Sequence, residues 1–439
     1  MFGTSGIRGP FGEDVTARLA LDVGRALAAD GAQRVVIGRD PRLTGPVLVD
    51  ALAAGVRECG ADVVDIGIAA TPTVARSVAW RDADVGVSIT ASHNPPEDNG
   101  IKLWSGSGMA FPESRRDRIA ALVRSESFEP AVWDDVGTRR DWGDASSQHV
   151  DAVTETVELD RPLHVVVDVG NGAGGVTVDV LEKLGCRVET LFETPDGRFP
   201  SRPSEPTADT CVELRSTVET TDADLGVAHD GDADRMMAVD ETGEFLPGDV
   251  LLAVFAREAA ETGASVAAPV NTSLAVDDTL EELGASVDRT RVGDVFVAER
   301  LRDTQGVFGG EPSGAWIWPD ETLCPDGTLA AAKLAAIVSR RGPLTTLVSD
   351  IERYPLRRDS RQVADKVGVM DSVRELATSR FDRTDSRDGV RIETEDGWLL
   401  IRKSGTEPVI RLTAEARDER RADELLEVGH ALVEEALET

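Results

Sequence analysis

Lysine is almost missing from this chain. Lys102, Lys183, Lys333, Lys366 and Lys403 are the only five among 47 basic residues; the rest are arginine. Aspartate and glutamate together number 80, which sets the formal net charge at −33. That balance excludes nucleic acid as a partner, because binding a phosphate backbone needs a basic face. An acidic excess with few lysines fits a protein dissolved in concentrated salt, where self-repulsion is screened. Cysteine is sparse as well. Cys59, Cys186, Cys211 and Cys324 lie far apart and form no C-x-x-C pair, so they read as small packing residues in a reducing cytoplasm. No apolar run approaches the ~20 residues needed to cross a bilayer. The opening MFGTSGIRGP carries no apolar leader, so a cytoplasmic protein without a membrane partner is expected.

What the chain does have is α/β patterning. Its 439 residues correspond to three or four domains at roughly 100–150 residues each. One βαβ-type passage runs RVVIGRD (34–40), an amphipathic helix at 47–60, then ADVVDIG (61–67). A second runs HVVVDVG (164–170), VTVDVLEKLG (176–185), CRVETLF (186–192). A third and weaker one runs ASVAAPV (264–270), LAVDDTLEELG (274–284), ASVDRTRVG (285–293). The three helices end at Gly60, Gly185 and Gly284, which suits a left-handed cap leading into a strand. The C-terminal part differs. GVRIETEDGWLLIRKSG (389–405) predicts a hairpin turning at Asp396-Gly397, and 421–437 predicts a closing amphipathic helix. The expected architecture is three related α/β domains with mixed sheets plus a C-terminal α+β domain, with boundaries near residues 145, 243 and 355.

Several polar loops punctuate these elements. TASHNPPEDNGIK (90–102) follows the strand-like ADVGVSIT and is rich in turn residues, which puts Ser92 at a strand's C-terminal end, where open α/β sheets bind ligands. HDGDADRM (229–236) presents Asp230, Asp232 and Asp234 at alternate positions. In an extended loop that spacing turns three carboxylates to one side, where they repel unless a hard divalent cation such as Mg²⁺ joins them. Arg235 beside them can balance charge or grip an anion. RKSGTEP (402–408) with Arg411 sets two guanidiniums around a Ser-Gly-Thr turn, a suitable phosphate pocket. GGEPSG (309–314) offers Glu311 and Ser313 on a flexible backbone, and FGTSGIRG (2–9) offers hydroxyls and Arg8. Finally, DVGNGAGG (168–175) matches G-x-G-x-x-G, with Glu189 and Glu193 further on. It reads either as a tight strand-to-helix turn or as a dinucleotide fingerprint, which would make the chain an NAD-dependent oxidoreductase.

Taken in order along the whole chain, FGTSGIRG, TASHNP with NGIK, DGDADR, GGEPSG and RKSGTEPVIR resemble the α-D-phosphohexomutase family. The resemblance implies four domains around a central cleft, each supplying one loop. It implies that Ser92 is a phosphoserine, and that Asp230, Asp232 and Asp234 hold Mg²⁺ together with the Ser92 phosphoryl group. Lys102 and Arg8 then stand near the transfer, for proton handling or electrostatic stabilisation. His93 and Arg235 contact substrate, Glu311 and Ser313 hold sugar hydroxyls, and Arg402, Ser404, Gly405, Thr406 and Arg411 hold the unreacting phosphate. The implied reaction interconverts a hexosamine or hexose 6-phosphate and 1-phosphate through a sugar bisphosphate. Glucosamine phosphate is the favoured substrate; hexose and pentose phosphates are the alternatives. The expected partner is this small molecule alone, and the expected state is a monomer or homodimer. A sensor that binds sugar phosphate without turnover is a further reading. One departure stands out. Family members of the phosphoglucomutase/phosphomannomutase kind usually carry histidine after the Ser-Gly of the sugar loop. Ala315 is there instead, followed by Trp316, which leaves the general base unassigned.

Overall fold

The computed structural model describes residues 1–3, 6–404 and 408–438. The chain divides into two compact units. One comprises Met1–Leu251 and Pro312–Val348, the other Leu252–Glu311 and Ser349–Thr439.

The first unit opens with a six-stranded mixed sheet. Its strands run in the order Ile7–Pro10, Asp98–Ser105, Val85–Ile89, Arg34–Arg39, Asp62–Ile68 and Arg139–Asp141. Arg34–Arg39 pairs in parallel with both neighbours, whereas Asp98–Ser105 returns antiparallel to Val85–Ile89 and to Ile7–Pro10. Both faces are covered, which is why RVVIG reads as a continuous apolar run rather than an alternating one. Val35 and Ile37 join the core beneath helices Ala17–Ala29 and Gly45–Glu58, while Val36 joins the opposite core with Val74, Val78 and Trp104.

A second sheet in the same unit is ordered Met236–Val239, Leu225–His229, His164–Asp168, Arg187–Leu191. Its last three strands are parallel and the first returns antiparallel. The buried helix Gly327–Arg341 completes the unit. Its N-cap, Asp326, is fully enclosed and accepts hydrogen bonds from Arg76 Nε (2.9 Å) and Leu329 N (3.0 Å), with His149 Nε2 3.0 Å away. Burial alone would raise the Asp326 pKa, but His149 and Arg76 outweigh it and hold the carboxyl below its usual range. This network fixes the helix start, whose Gly327 N–H reaches the Ala233 carbonyl of the aspartate loop (3.3 Å).

In the second unit, Ser265–Pro269 lies between the parallel strands Ser286–Thr290 and Phe308–Glu311. A five-stranded antiparallel sheet follows, ordered Leu356–Gln362, Val409–Ala416, Gly397–Lys403, Val390–Glu393, Thr384–Asp385. Helices Lys366–Arg380 and Glu419–Glu438 contribute Val373, Leu425, Leu432 and Val433 to its core. The two parts share buried polar contacts. Glu415 accepts from Trp398 Nε1 (2.9 Å) and from the Leu274 amide (2.7 Å), and Arg391 donates to the Val270 carbonyl.

The strand–helix–strand passages at 34–67, 164–192 and 264–293 form as the periodicity predicts, and Gly60, Gly185 and Gly284 take φ of +88°, +90° and +69°. The 389–405 stretch is the hairpin of Val390–Glu393 with Gly397–Lys403. The closing helix is slightly longer than its sequence pattern, running Glu419–Glu438.

Candidate active site

Two strand ends in the first unit build the centre. Val85–Ile89 feeds a turn through Thr90 and Ala91 into Ser92, which is buried and held at φ +55°. Leu225–His229 feeds the aspartate loop. Here the sequence expectation of an extended loop needs correcting. Residues 231–234 form turns and bends, and Ala233 takes φ +55°. The carboxylates converge because the chain curls, so alternation along a strand is not what aligns them.

Among the described residues, Asp230, Asp232 and Asp234 form a buried acidic group whose candidate ligand oxygens all lie within 4.8 Å of one another. Ser92 Oγ donates to Asp230 Oδ2 at 2.5 Å and lies 3.3 Å from His93 Nδ1. Lys102, on strand Asp98–Ser105, donates from Nζ to Asp232 Oδ2 (2.7 Å) and Asp234 Oδ2 (2.5 Å). Thr71 grips Asp232 twice, hydroxyl to Oδ2 at 2.6 Å and amide to carbonyl at 2.8 Å.

The electrostatics follow from burying three acids with one amine. Burial, then Asp232 and Asp234, push Asp230 well above the usual carboxylate range. Burial also works to raise Asp232, but Lys102 and the Thr71 hydroxyl prevail and hold it below that range. Burial would lower Lys102, yet Asp232 and Asp234 raise it above the ordinary ammonium value. His93 is pushed down to about 2 by burial and then by Arg235, Arg8 and Lys102, so its ring is neutral. Asp232 Oδ1 is buried with no hydrogen-bond partner among the described residues. An orphaned carboxylate oxygen costs about 1–3 kcal/mol or more. Three hard oxygen donors, one of them unsatisfied, beside a serine hydroxyl fit a divalent cation such as Mg²⁺.

The remaining sequence candidates fall into two groups. Arg8, on the edge strand opposite Gly100, has a buried Nε without a partner among the described residues. Arg235 forms an ion pair with Glu205 (3.5 Å), and its backbone bridges Ala315. Ala315 thus sits in a short buried strand, with Trp316 Nε1 anchored on the Met236 carbonyl at 2.8 Å. Ser313 Oγ is also buried and unpartnered among the described residues. These belong to the first unit, as do Ser92, His93, Lys102 and the three aspartates. In the second unit, Glu311 Oε1 accepts the Gly293 amide at 2.7 Å. Arg402 and Arg411 face each other directly across antiparallel strands. Like charges opposite one another are destabilising, so this pair favours an anion, and Asp388 forms an ion pair with Arg402 at 3.1 Å. Ser404 is held by its amide on the Val409 carbonyl (2.9 Å), and its own carbonyl accepts from Lys366 Nζ (2.8 Å). Gly405 and Thr406 lie outside the described residues.

The glycine-rich stretch 168–175 has a local explanation. Ala173 N donates to the Gly231 carbonyl at 3.0 Å, and a Cβ on Gly172 would sit 2.8 Å from that same oxygen. Gly172 lets this turn pack against the aspartate loop, and Gly174 lets it approach the His229 side chain, so close packing explains part of the glycine content. Sequence reasoning passed over Thr71, Arg42, Thr90, Arg202 and Ser204. Arg202 braces the start of the aspartate loop, bonding Asp168 Oδ2 (2.8 Å) and the His229 carbonyl (2.7 Å). Nothing near it in the sequence signals that role.

The chain belongs to the phosphoglucomutase/phosphomannomutase family. Its alpha/beta/alpha domains I, II and III match residues 1–130, 147–243 and 247–354, and its C-terminal domain matches 358–428. The protein is therefore an enzyme of the phosphohexomutase class, an isomerase acting by intramolecular phosphoryl transfer. Among its relatives is a probable phosphoglucosamine mutase of Methanococcoides burtonii, 44% identical over 440 residues and covering 100% of this chain and 99% of that protein. Another, of the same description, comes from Methanothermobacter thermautotrophicus, 46% identical over 431 residues, with 96% and 95% covered. A crystal structure of a phosphoglucomutase/phosphomannomutase family protein from Burkholderia thailandensis superposes with a TM-score of 0.89 at 29% identity, covering 99% of this chain and 98% of that one.

Proposed function

We propose that the enzyme interconverts glucosamine 6-phosphate and glucosamine 1-phosphate, with the phosphoryl group carried on Ser92. The observation that carries the mechanism is the 2.5 Å contact between Ser92 Oγ and Asp230 inside the acidic triad. A hydroxyl so placed is where a phosphoryl group and a divalent cation would share ligands. Asp230, Asp232 and Asp234 would hold Mg²⁺, which supplies charge neutralisation for a group bearing roughly −1.5 to −2.

The chain's residues then divide the work. In the forward half-reaction, the P–O bond to Ser92 Oγ breaks and a P–O bond to the sugar hydroxyl forms. The sugar hydroxyl gives up its proton to a base, the freed Ser92 Oγ takes up one, and the resulting bisphosphate returns its other phosphoryl group to Ser92 Oγ with the opposite proton movements. Lys102 and Arg8 provide positive charge for the transferring group, and His93 and Arg235 bind substrate. Glu311 and Ser313 take the sugar hydroxyls. Arg402, Ser404, Gly405, Thr406 and Arg411 grip whichever phosphate is not reacting.

The choice of amino sugar rests on the relatives, each described as a probable phosphoglucosamine mutase and matched over nearly their full length. Purified protein supplied with a trace of the matching bisphosphate should convert glucosamine 6-phosphate at a kcat/KM at least about tenfold above glucose 6-phosphate or mannose 6-phosphate, the size of one good polar contact. Equal or better turnover of the neutral hexoses overturns the amino-sugar assignment while leaving the phosphoserine chemistry intact.

The surface carries a separate proposal. A net charge of −33 with five lysines suits a solution of high ionic strength. The Debye length falls from about 10 Å at 0.1 M to about 3 Å at 1 M, which screens that self-repulsion. The melting temperature should climb steeply as potassium chloride rises from millimolar to molar. A flat profile over that range contradicts the adaptation.

A further inference from the structure

Ser92 has a backbone conformation that serine does not choose. At φ +55° it lies in the left-handed region, where a non-glycine residue costs of order 1–3 kcal/mol and persists only when its surroundings impose it. The surroundings come from a buried pair just after strand Arg34–Arg39. Arg42 is fully buried, and its guanidinium spends almost every N–H on backbone carbonyls of the serine loop. Nη2 donates to Ser92 O (2.9 Å) and Asn94 O (2.7 Å), and Nη1 donates to Asp98 O (2.8 Å) and Pro95 O. Nε is bound by Asp40 Oδ2 at 2.9 Å, and the Phe199 ring lies 5.1 Å from the guanidinium carbon.

The same Asp40 oxygen reaches Ser92 from the other side. It accepts from Thr90 Oγ1 (2.7 Å), and Thr90 Oγ1 accepts the Ser92 amide (2.8 Å). The Ser92 carbonyl also accepts from Ser204 Oγ (2.9 Å), and a Cβ on Gly231 would come within 2.8 Å of it. One buried ion pair thus fixes both the amide and the carbonyl of the residue that bears the reacting oxygen. The carbonyls it ties down span residues 92–98. A lysine cannot copy this, because an ammonium has three donors on a flexible stem, whereas the guanidinium is a rigid planar fork.

We infer that Arg42, acting with Asp40 and through Thr90, is the positioning residue for the phosphoryl-carrying serine. It sets the direction of Ser92 Oγ toward Asp230 and touches neither substrate nor metal. The inference rests on Ser92 being the carrier. A misplacement of about 1 Å can cost on the order of a hundredfold in rate without weakening substrate binding. The expected signature is a fall in kcat at nearly constant KM.

The test uses full-length Arg42→Lys, Thr90→Val and Thr90→Ser proteins, with phosphate on Ser92 followed by peptide mass mapping after exposure to sugar bisphosphate. Arg42→Lys should lower both kcat and the rate of Ser92 phosphorylation by about a hundredfold, with KM changed less than about threefold. Thr90→Val, nearly isosteric but without the hydroxyl, should lower both by about tenfold, and Thr90→Ser should restore them. The Thr90 pair decides the matter if Arg42→Lys does not fold. A folded Arg42→Lys or Thr90→Val protein with wild-type kcat overturns the inference, as does a loss confined to KM. If wild-type protein carries its phosphate on a residue other than Ser92, the carrier assignment fails, and that result is distinct from either of these.

Discussion

Ser92→Ala removes turnover and the covalent phosphate together. The substitution deletes one oxygen, the atom proposed to give up the phosphoryl group and to take it back. Among the described residues, the nearby threonine hydroxyls are already engaged: Thr71 Oγ1 is committed to Asp232 and Thr90 Oγ1 to Asp40. Deleting a nucleophile typically costs about 10⁴-fold or more in kcat. Stability should fall by about 1–3 kcal/mol, because the backbone strain at φ +55° is the same for alanine but the buried Asp230 oxygen loses its short hydrogen bond. The intact mass of wild-type protein incubated with glucose or glucosamine bisphosphate should show one phosphate adduct, and the variant none. An adduct that survives in Ser92→Ala, or a variant retaining a tenth of wild-type turnover, contradicts the assignment.

Removing the divalent ion is expected to be nearly as severe. Asp230, Asp232 and Asp234 are packed into a buried space with one ammonium, Lys102, between them. Phosphorylating Ser92 adds roughly −1.5 to −2 charges to that cluster. Treatment with a chelator should therefore lower activity by about 10³-fold or more, with recovery on adding Mg²⁺. A second readout does not depend on turnover. Mg²⁺ at 100 times its dissociation constant should stabilise the fold by about 2.7 kcal/mol, seen as a rise in melting temperature. Asp232→Asn should abolish both responses. Its carboxylate supplies the unpartnered Oδ1, and its Oδ2 is the acceptor that Thr71 and Lys102 share. A melting temperature indifferent to Mg²⁺, with full activity in chelator, would remove the metal from the account.

Much of this is legible in the sequence. The apolar strand runs at 34–39, 164–168 and 265–269 are short and bounded by glycines and polar residues, so their identity as strands needed no tertiary context. The loops that matter fall at the ends of such strands, and this is why Ser92 and the three aspartates could be singled out. What stayed hidden depends on the third dimension. Ser204 and Arg202 sit in an ordinary-looking polar segment, and they acquire roles only because that segment folds back over Ser92 O and His229 O. Thr71 belongs to a helix start that meets Asp232 across 161 residues of chain. The curl of the aspartate loop, with Ala233 at φ +55°, has no mark in the sequence, since alanine is not a residue that advertises a left-handed backbone. The glycine-rich turn at 168–175 misleads for a related reason. Close approach to a neighbouring loop and close approach to a pyrophosphate demand the same residue.

The grouping into two units was equally out of reach. The GGEPSG stretch is divided by it, with Glu311 in one unit and Ser313 in the other. Local periodicity carries no information on such a division, because it arises from which surfaces pack.

The claim on which all of this turns is that a phosphoryl group on Ser92 shares its immediate surroundings with a cation on the aspartate triad. Phosphorus NMR of the phosphorylated enzyme, titrated with Mn²⁺ in place of Mg²⁺, tests that proximity directly. The account predicts that one equivalent of Mn²⁺ broadens the phosphoserine resonance beyond detection, and that the signal stays sharp in the Asp232→Asn protein. A phosphoserine resonance that remains sharp in the wild-type enzyme at saturating Mn²⁺ would contradict it.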